Sequence, residues 1–380
     1  MVKKKILIFV DWYKPGYKAG GPIRSVSNIV AHLKNQIEIF IITRDTDYLE
    51  SSPYSSIKSD TWNNVDGASV FYLTKKNTSY KTIKRLVKSV TPNLIYVNSL
   101  YSPYYTLIPL LIAKKLKINS VIAVRGMLST GSLDVKNKKK KLFLSIAKSL
   151  RFFNKCDFHA TTQEEKEDII STFGNKSNVL LAQNLPVKKT LPFKAKDKLE
   201  NKLKLISVGR VAPEKNTLFA IDVLKEVKQN VSFDIYGPIY NQEYWNKCQR
   251  SINQMPGNIV INYKGVLPHE ELDQHLEKYH VLFLPSTGEN FGHIIIEAMM
   301  CSCVPIISDK TPWKNLENIK VGYDLPLTDH MLFATKVDKL AKFSKEEFNI
   351  FSANANNYAT QVIENKKLVE EYHKLFQLKN

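Results

Sequence analysis

VLFLPSTGENFGH, residues 281–293, is the stretch that decides the fold. Its apolar first half predicts a buried strand, Gly288 and Gly292 predict a tight turn, and the residues after His293 have a helical pattern. The N-terminus of that helix offers N–H groups and the positive end of the helix dipole to a phosphate. Glu289 and Glu297 can hold hydroxyl groups. The segment therefore predicts a phosphate-plus-polyol site; the alternative is two solvated glutamates on an ordinary helix.

The same alternation of apolar runs and amphipathic helices continues along the whole chain. Helical patterns include Pro22–Leu33 and a stretch from about Leu218 to Lys228. Buried strands that alternate with helices indicate a parallel sheet covered on both faces. The predicted strands are Ile6–Val10, Ile37–Thr43, Val70–Leu73, Leu94–Val97, Ser120–Val124, Lys204–Val208, Ser232–Tyr236, Val260–Lys264, Val281–Pro285 and Val304–Ser308.

A polar, lysine-rich stretch between Val187 and Lys202 interrupts the alternation and predicts a linker. We therefore predict an α/β protein of two doubly wound, Rossmann-like domains facing a cleft. The N-terminal domain spans residues 1–188 and the C-terminal domain spans 200–358, and a helix at about 360–380 packs back on the first domain. Ligands of such sheets bind at the carboxyl ends of the strands.

The 380 residues carry a formal net charge of +19. Such a surplus favours anionic partners, which include nucleic acid, anionic membranes and phosphorylated small molecules. The apolar run after Lys3-Lys4-Lys5 is too short for a signal peptide and predicts a strand, and no run is long enough to span a membrane. The four cysteines have neither zinc spacing nor a disulfide framework.

Two glutamates within E-x-F-G-x-x-x-x-E-A-M, residues 289–299, resemble the signature of family-4 glycosyltransferases of the GT-B fold. Further segments occur in the order of that family. They are Gly20-Gly21-Pro22, Ser207-Val208-Gly209-Arg210, Pro213-Glu214-Lys215-Asn216, Tyr236-Gly237-Pro238, Lys264-Gly265-Val266 and Val304-Pro305-Ile306.

The resemblance implies a role for each matching position. Arg210 and Lys215 would hold the donor diphosphate and stabilise the charge of the departing group. Glu289 would bind the transferred sugar and Glu297 the nucleotide ribose. The remaining donor contacts it implies are Gly20 and Gly21 at the diphosphate, Gly237, Lys264 and Val266 at the base, and the backbone of Asn290, Phe291 and Gly292 at the sugar and phosphate.

The resemblance also implies a retaining reaction that needs no metal ion and no cofactor beyond the nucleotide-sugar, with UDP favoured over GDP. The chain has no D-x-D triplet to hold a metal. The acceptor would be a saccharide or a lipid-linked molecule, as in bacterial surface polysaccharide synthesis. We expect a cytoplasmic enzyme, peripheral on the inner face of the cell membrane.

This sequence departs from the family at two points. Many relatives have a histidine near the reacting sugar, where this chain has Asn98 and Arg125. These two residues, with His159 and His293, are candidate acceptor or sugar contacts, and for His159 the alternative is a structural histidine. Ser302 replaces a usual glycine, and we expect a left-handed backbone there, which costs about 1 kcal/mol.

The basic runs Lys138–Lys141 and Lys114-Lys115, with Lys117, flank apolar helices and suit an anionic membrane; a solvated face is the alternative. Two other functions compete with glycosyl transfer. A sugar-nucleotide epimerase or a phosphorylase would share the fold. A nucleic-acid-binding protein would explain the charge, but no module of that kind is present in the sequence, so we expect no nucleic-acid partner.

Overall fold

The structure is a computed structural model that describes residues 3–128, 137–149 and 152–378. It divides into two compact units. Unit 1 comprises Met1–Lys188 and Asn365–Asn380, and unit 2 comprises Lys189–Glu364. Each unit is described by itself below.

Unit 1 is built on one eight-stranded sheet with the order β3-β4-β2-β1-β5-β6-β7-β8. All neighbouring strands are parallel except β3, which pairs with β4 in the antiparallel direction. The strands are β1 Lys5–Phe9, β2 Glu38–Arg44, β3 Trp62–Val65, β4 Ala68–Leu73, β5 Leu94–Val97, β6 Asn119–Ala123, β7 Asp157–Ala160 and β8 Val179–Leu181. The helices are α1 Gly21–Leu33, α2 Tyr80–Val90, a π-helix Pro103–Leu107, α3 Ile108–Leu116, α4 Asn137–Ser149, α5 Gln163–Phe173 and, from the C-terminus, α12 Lys366–Leu375.

Unit 2 has a six-stranded parallel sheet with the order β11-β10-β9-β12-β13-β14. Its strands are β9 Lys202–Val208, β10 Asn230–Tyr236, β11 Ile259–Tyr263, β12 Val281–Leu284, β13 Val304–Ser308 and β14 Tyr323–Leu325. Its helices are α6 Thr217–Leu224, α7 Gln242–Ile252, α8 Leu272–Leu276, α9 His293–Met300, α10 His330–Lys342 and α11 Lys345–Ile363, with short 3₁₀ turns at Pro213–Lys215 and His269–Glu271.

The apolar runs of the sequence form the central strands, and each of the ten predicted strands coincides with an observed one to within two residues at each end. All four residues of β5 and of β12 are buried, as expected for parallel strands covered on both faces. The predicted list omits β3, β7, β8 and β14. Strands β3, β8 and β14 lie at the sheet edges and are only three or four residues long, so their apolar pattern is too short to stand out.

Each sheet has one point where the strand order reverses. In unit 1 the chain builds outward from β1 through β2 and β4, and then crosses to β5 on the other side of β1. In unit 2 it builds outward from β9 through β10 and β11 and then crosses to β12. Helices leave such a reversal on opposite faces of the sheet, so a crevice opens at the carboxyl ends of the two strands.

Ser302, just after α9, has the left-handed backbone that its sequence position predicts, with φ of 62°. Its side chain offsets part of the strain, because Ser302 Oγ accepts a 3.3 Å hydrogen bond from the N–H of Lys194. The carbonyl of Ser302 accepts a 2.6 Å bond from Ser352 Oγ on α11. The position therefore ties the linker and α11 to the end of α9.

Within the described residues no helix is both long and apolar enough to cross a membrane. The predicted basic face of α4 falls mostly outside the part that can be described, since it rests on the side chains of residues 138, 139 and 141. Membrane contact therefore stays a prediction.

Gly237, after β10, is held against the backbone of Gly209, after β9. Its φ of 147° lies in the region that side-chain-bearing residues rarely adopt. A Cβ atom at position 237 would lie 1.7 Å from the carbonyl oxygen of Gly209. Only glycine fits this contact, which brings the loops after two neighbouring strands together.

We expect Gly237→Ala to lower the free energy of unfolding by at least about 2 kcal/mol, because the backbone of residue 209 must move to admit the methyl group. Gly257→Ala is the matched control, since a Cβ there meets no atom within 4 Å. Urea unfolding followed by circular dichroism measures both. Equal stability of the two variants would contradict the close contact.

Candidate functional site

The crevice of unit 2 holds an ion pair between the loops that follow β9 and β12. Lys215 Nζ lies 2.5 Å from Glu289 Oε1. The side chains retain only 22% and 11% of their exposure, so water screens this pair less than a surface pair. The structure thus brings together a cation and a carboxylate that the sequence assigned to one site from positions 74 residues apart.

Backbone hydrogen bonds fix the loop that carries Glu289. The N–H of Thr287 donates to the carbonyl of Glu214 at 3.0 Å, which joins the loop to the turn that carries Lys215. The N–H of Glu289 donates to the carbonyl of Lys310 at 3.0 Å. Arg210 pairs with Glu214 at 3.1 Å, but both side chains are more than two-fifths exposed. An exposed pair contributes little, so the guanidinium of Arg210 can turn to another anion at small cost.

Helix α9 begins directly after Gly292, which has φ of 71°. This left-handed conformation favours glycine at position 292. No side chain caps this helix start. Glu297 lies inside the helix and is 95% buried. His293 is the first residue of the helix, and its ring centroid lies 4.8 Å from that of Phe291. Glu289 and Glu297 therefore lie on the same turn-helix unit, one before the helix and one within it.

Trp313 is a component of the site that the sequence did not predict. Its indole N–H donates a 2.5 Å hydrogen bond to the carbonyl of Phe291, and the two rings lie 5.3 Å apart. Trp313 and Lys310 follow β13, the neighbour of β12. Lys310 bonds to the backbone of Glu289 and Trp313 to the backbone of Phe291, so both fix the loop that carries Glu289. Their place just after a predicted strand is the signal that could have found them, because loops after neighbouring strands meet at one edge.

The residues predicted to line a base pocket follow β10 and β11. The N–H of Gly237 donates to the carbonyl of Gly265 at 2.8 Å, and Tyr263 Oη donates to the carbonyl of Gly237 at 2.9 Å. Lys264 Nζ is 3.9 Å from Asp234 Oδ2, and Val266 is 41% exposed. The three predicted positions, Gly237, Lys264 and Val266, are thus side by side, and their assignment to the nucleotide base stays a prediction.

In unit 1, Gly20 and Gly21 follow β1 and begin α1. Gly20 has φ of 71° and ψ of −124°, and it provides no capping side chain for the helix. A Cβ at either glycine would meet no atom within 4 Å, so the loop surface is open. Their predicted contact with a diphosphate is not tested by this arrangement.

Asn98, Arg125 and His159 lie in one hydrogen-bonded chain, in which Asn98 and His159 are buried and Arg125 is half-buried. Arg125 donates from Nε to Asn98 Oδ1 at 2.8 Å and from Nη2 to Tyr96 Oη at 2.8 Å. Its Nη1 donates to Asn184 Oδ1. The sequence gave no sign of Tyr96 and Asn184 as partners. The guanidinium is thus bound to three neutral oxygens and positions the ends of β5, β6 and the segment after β8.

His159 is fully buried and both of its ring nitrogens are bonded. Nε2 lies 2.7 Å from the carbonyl of Ala182, which can only accept, so Nε2 carries the proton. Nδ1 therefore accepts from Tyr96 Oη at 2.8 Å. Burial, with the nearby charge of Arg125, lowers the pKa of His159 to about 3. The structure favours the structural alternative for His159, because a neutral ring with no spare nitrogen has nothing to offer a ligand.

Among the described residues, no three His, Cys, Asp or Glu side chains come together as a group that could hold a metal ion.

Residues 188–360 match the family model described as glycosyl transferases group 1. A stretch of 182 residues is 29% identical to the GtfA subunit of the UDP-N-acetylglucosamine–peptide N-acetylglucosaminyltransferase of Streptococcus agalactiae, and it covers 44% of this chain and 34% of that protein. The chain thus spans about a third of the length of this relative. An uncharacterized glycosyltransferase of Methanocaldococcus jannaschii is 25% identical over 302 residues, which are 77% of this chain and 75% of that one.

Solved structures share the fold over nearly the whole chain. HepE of Anabaena, in complex with UDP and glucose, has a TM-score of 0.74 at 16% identity and covers 98% of this chain and 99% of its own. The pneumococcal O-GlcNAc transferase GtfA, in complex with UDP and GlcNAc, has a TM-score of 0.60 at 13% identity, with coverage of 98% and 99%. The predicted two-domain GT-B fold is confirmed. The family match over residues 188–360 and the relatives named as glycosyltransferases support the predicted class of enzyme.

The neutral state of His159 makes the stability of the protein depend on pH. Because its pKa in the folded protein is about 3, against an ordinary histidine value of about 6.5, the unfolded chain binds more protons between these values. Stability therefore falls as the pH falls. Between about pH 7 and pH 5.5 we expect the wild type to lose about 1.2 kcal/mol more than His159→Gln. Urea unfolding at both pH values measures this; equal losses would show that folding does not lower the pKa of His159.

Proposed function

We propose that this chain moves a sugar from a nucleotide-sugar donor to a saccharide or lipid-linked acceptor with retention of anomeric configuration and without a divalent metal. The observation that carries the proposal is the Lys215–Glu289 pair at the strand reversal of unit 2, inside the residues that match the group 1 family. The activity of the whole chain, its substrates and its pathway are part of the proposal.

Lys215 and Arg210 bind the donor diphosphate. In the absence of an anion, the ammonium of Lys215 is neutralised by Glu289 and the guanidinium of Arg210 by Glu214. A diphosphate brings more charge than either carboxylate, so it draws both cations to itself. Glu289 is then released to accept hydrogen bonds from the hydroxyls of the sugar. One exchange of partners thus organises both ends of the donor.

Catalysis follows from the same groups. The bond between the anomeric carbon and the diphosphate oxygen breaks, and the bond to the acceptor oxygen forms on the same face of the sugar. The acceptor proton passes to the departing phosphate oxygen. Lys215 and Arg210 stabilise the negative charge that collects on this oxygen, which is electrostatic work that a metal ion does in other enzymes.

Glu297 binds the ribose, and its burial supports this role. A buried carboxylate at the fifth position of α9 can accept bonds from two vicinal hydroxyls, and burial strengthens such bonds. The backbone N–H groups of Asn290, Phe291 and Gly292, near the uncapped start of α9, are placed to meet the sugar and phosphate. Gly237, Lys264 and Val266 line the base.

The donor is a UDP-sugar in this proposal. The structures of HepE and of pneumococcal GtfA are complexes with UDP, and the streptococcal relative is named for UDP-N-acetylglucosamine. A GDP-sugar is the competing donor, because a mannosyltransferase of Caenorhabditis elegans named for GDP-mannose is 27% identical over 28% of this chain. The proposed setting is bacterial surface polysaccharide synthesis at the inner face of the cell membrane.

Lys215→Met should reduce the rate of sugar transfer by about 10²- to 10³-fold, since it removes a positive charge from the departing group. Glu289→Gln should also lose most of the activity. Lys225→Met is the matched control, because Lys225 forms a comparable pair with Asp222 elsewhere in unit 2. Release of UDP from a panel of UDP-sugars measures the rate. Equal rates in the Lys215 and Lys225 variants would contradict the proposed site.

UDP should raise the melting temperature of the wild type more than GDP or CMP does, because a ligand that binds only the folded state stabilises it. Glu297→Ala should remove most of this rise, and the Lys225→Met control should keep it. If UDP raised the melting temperature of Glu297→Ala as much as that of the wild type, the ribose assignment would be excluded. If GDP raised the melting temperature of the wild type more than UDP does, the donor would be a GDP-sugar.

Removal of metal ions with EDTA should leave the rate of transfer within about twofold, since cationic side chains replace the metal in this mechanism. The anomeric configuration of the product, read by proton NMR, should match that of the donor. A loss of activity that Mg²⁺ or Mn²⁺ restores would show that a metal takes part.

A further inference from the structure

A cavity of about 260 Å³ opens at the amino edge of the unit 1 sheet, the edge at which the parallel strands begin. It is lined by the end of α3, by the start of β6 and by the segment that precedes β7. Strands β6 and β7 are parallel neighbours, so they begin at the same edge. The loops that carry Gly20 and Asn98 follow their strands and therefore leave from the opposite edge. The cavity is thus separate from the crevice at the carboxyl edge.

Positive charge is concentrated around this cavity. Lys114, Lys117 and Lys155 line it, and all three are exposed. Among the described residues, none of their ammonium groups has an ion pair or a hydrogen bond. No Asp or Glu of the described part of the chain lines the cavity. Elsewhere an exposed lysine such as Lys194 is paired, with Glu277 at 2.8 Å. The cavity therefore has three cations without a counter-charge.

A helix end by itself does not explain this arrangement. Lys114 is in the last turn of α3 and Lys117 is its C-cap, where the helix dipole favours cations. Lys155 comes from a different segment, the one before β7. Lys115, which is also in the last turn of α3, does not line the cavity; its Nζ lies 3.4 Å from Tyr80 Oη. Lysines from two separate segments therefore converge on one cavity.

The other polar groups of the lining are neutral. Ser120, at the start of β6, donates a 3.3 Å hydrogen bond from Oγ to Cys156 Sγ. Asp157 follows Cys156 in the chain but does not line the cavity. Its Oδ1 accepts a 2.8 Å hydrogen bond from Asn178 Nδ2. The charge of the cavity is therefore the charge of its lysines.

One wall of the cavity is apolar. Leu110, Ala113, Ile118 and Phe152 form it. The volume is that of roughly nine water molecules at about 30 Å³ each, so the cavity has room for more than one small ion. A bare phosphate would reach the lysines and leave the apolar wall uncovered. A phosphate that carries a small organic group would cover both.

The number of cations distinguishes between kinds of anion. A carboxylate carries one negative charge, whereas a phosphate monoester carries about −1.5 to −2 at pH 7 and has three acceptor oxygens. Lysine binds phosphate as a point charge with three donors. Three unpaired ammonium groups therefore match a phosphate monoester better than they match a carboxylate.

We propose that this cavity binds a phosphate monoester, with the phosphate on Lys114, Lys117 and Lys155 and the organic group against the apolar wall. A soluble phosphate ester and the headgroup of phosphatidic acid share this chemistry. The site goes beyond the proposed function, because a sugar transfer at the carboxyl edges of the sheets does not use it.

Cys156 reports on the cavity in the full chain. It lines the cavity and is half-buried, whereas the other three cysteines are buried, so N-ethylmaleimide should modify Cys156 first. Burial raises the pKa of the Cys156 thiol. The reaction is therefore run at about pH 9, where more of the reactive thiolate is present. Mass spectrometry of the modified peptide gives the rate.

The probes are sn-glycerol 3-phosphate and phosphatidylcholine vesicles with or without phosphatidic acid. Relative to sodium chloride at equal ionic strength, we expect a saturating probe to slow the modification of Cys156 at least about threefold, because a bound ligand occupies the cavity. Lys117→Met and Lys155→Met should each lose most of this protection, expressed as the ratio of the rates without and with the probe. Lys58→Met is the matched control. Lys58 is an exposed lysine before β3, at the other end of the strand order, and its variant should be protected as the wild type is.

Protection by sn-glycerol 3-phosphate alone would assign the site to a soluble ester. Protection by vesicles only when they contain phosphatidic acid would assign it to a lipid headgroup, and protection by both probes would show that the phosphate itself suffices. A lack of protection by either probe would overturn the proposal, as would equal protection in Lys155→Met and Lys58→Met.

Lys215→Met separates this site from the proposed donor site. The variant lacks one of the proposed ligands of the donor diphosphate, so the protection of Cys156 should persist in it. Loss of protection in Lys215→Met would place the bound phosphate at the donor site and overturn the proposal. A chain that transfers no sugar but still protects Cys156 through its lysines would contradict the proposed function alone.

Discussion

The reversal of strand order is the constraint on which the rest of the structure depends. In a parallel sheet the carboxyl ends of all strands lie at one edge. Where the order of the strands reverses, the helices that follow two neighbouring strands lie on opposite faces of the sheet, and a crevice opens between their loops. In unit 2 this happens between β9 and β12, and Lys215 and Glu289 meet across it at 2.5 Å. In unit 1 it happens between β1 and β5, and Asp11 and Ser102 meet across it at 2.8 Å. Both candidate sites are consequences of topology before they are consequences of side-chain chemistry.

Glycine and strained backbone bring the loops close enough to act together. Gly237 fits against the carbonyl of Gly209 only because it lacks a side chain, and its N–H then reaches Gly265 on the next loop. The left-handed Gly292 turns the chain into α9, so that Glu289 precedes the helix and Glu297 is buried inside it. A carboxylate on each side of the turn is thus a result of one backbone conformation.

The sequence predicted the central strands, and it assigned Lys215 and Glu289 to one site, because both carry local signals: a continuous apolar run, and charged residues at fixed spacing around glycines. It could not decide the role of Arg125 or His159. A polar residue at the end of a strand can face a ligand or another strand end, and the choice depends on partners distant in sequence. Tyr96 and Asn184, which accept hydrogen bonds from Arg125, lie 29 residues before it and 59 residues after it. Trp313 escaped prediction for the same reason, since its bond to Phe291 spans 22 residues.

The two crevices differ in the chemistry they present, and the difference matches two kinds of ligand. The crevice of unit 2 has cations, carboxylates and an uncapped helix start, which suit a charged group that must be held while its charge increases. The crevice of unit 1 has the aromatic rings of Trp12 and Tyr105 beside Arg44, which Asp11 neutralises, and these suit an uncharged ring that must be oriented. A glycosyl transfer needs one ligand of each kind, because the diphosphate leaves with the charge and the acceptor attacks with a hydroxyl. Because the same fold occurs twice in one chain, one crevice can bind a charged group while the other binds an uncharged ring.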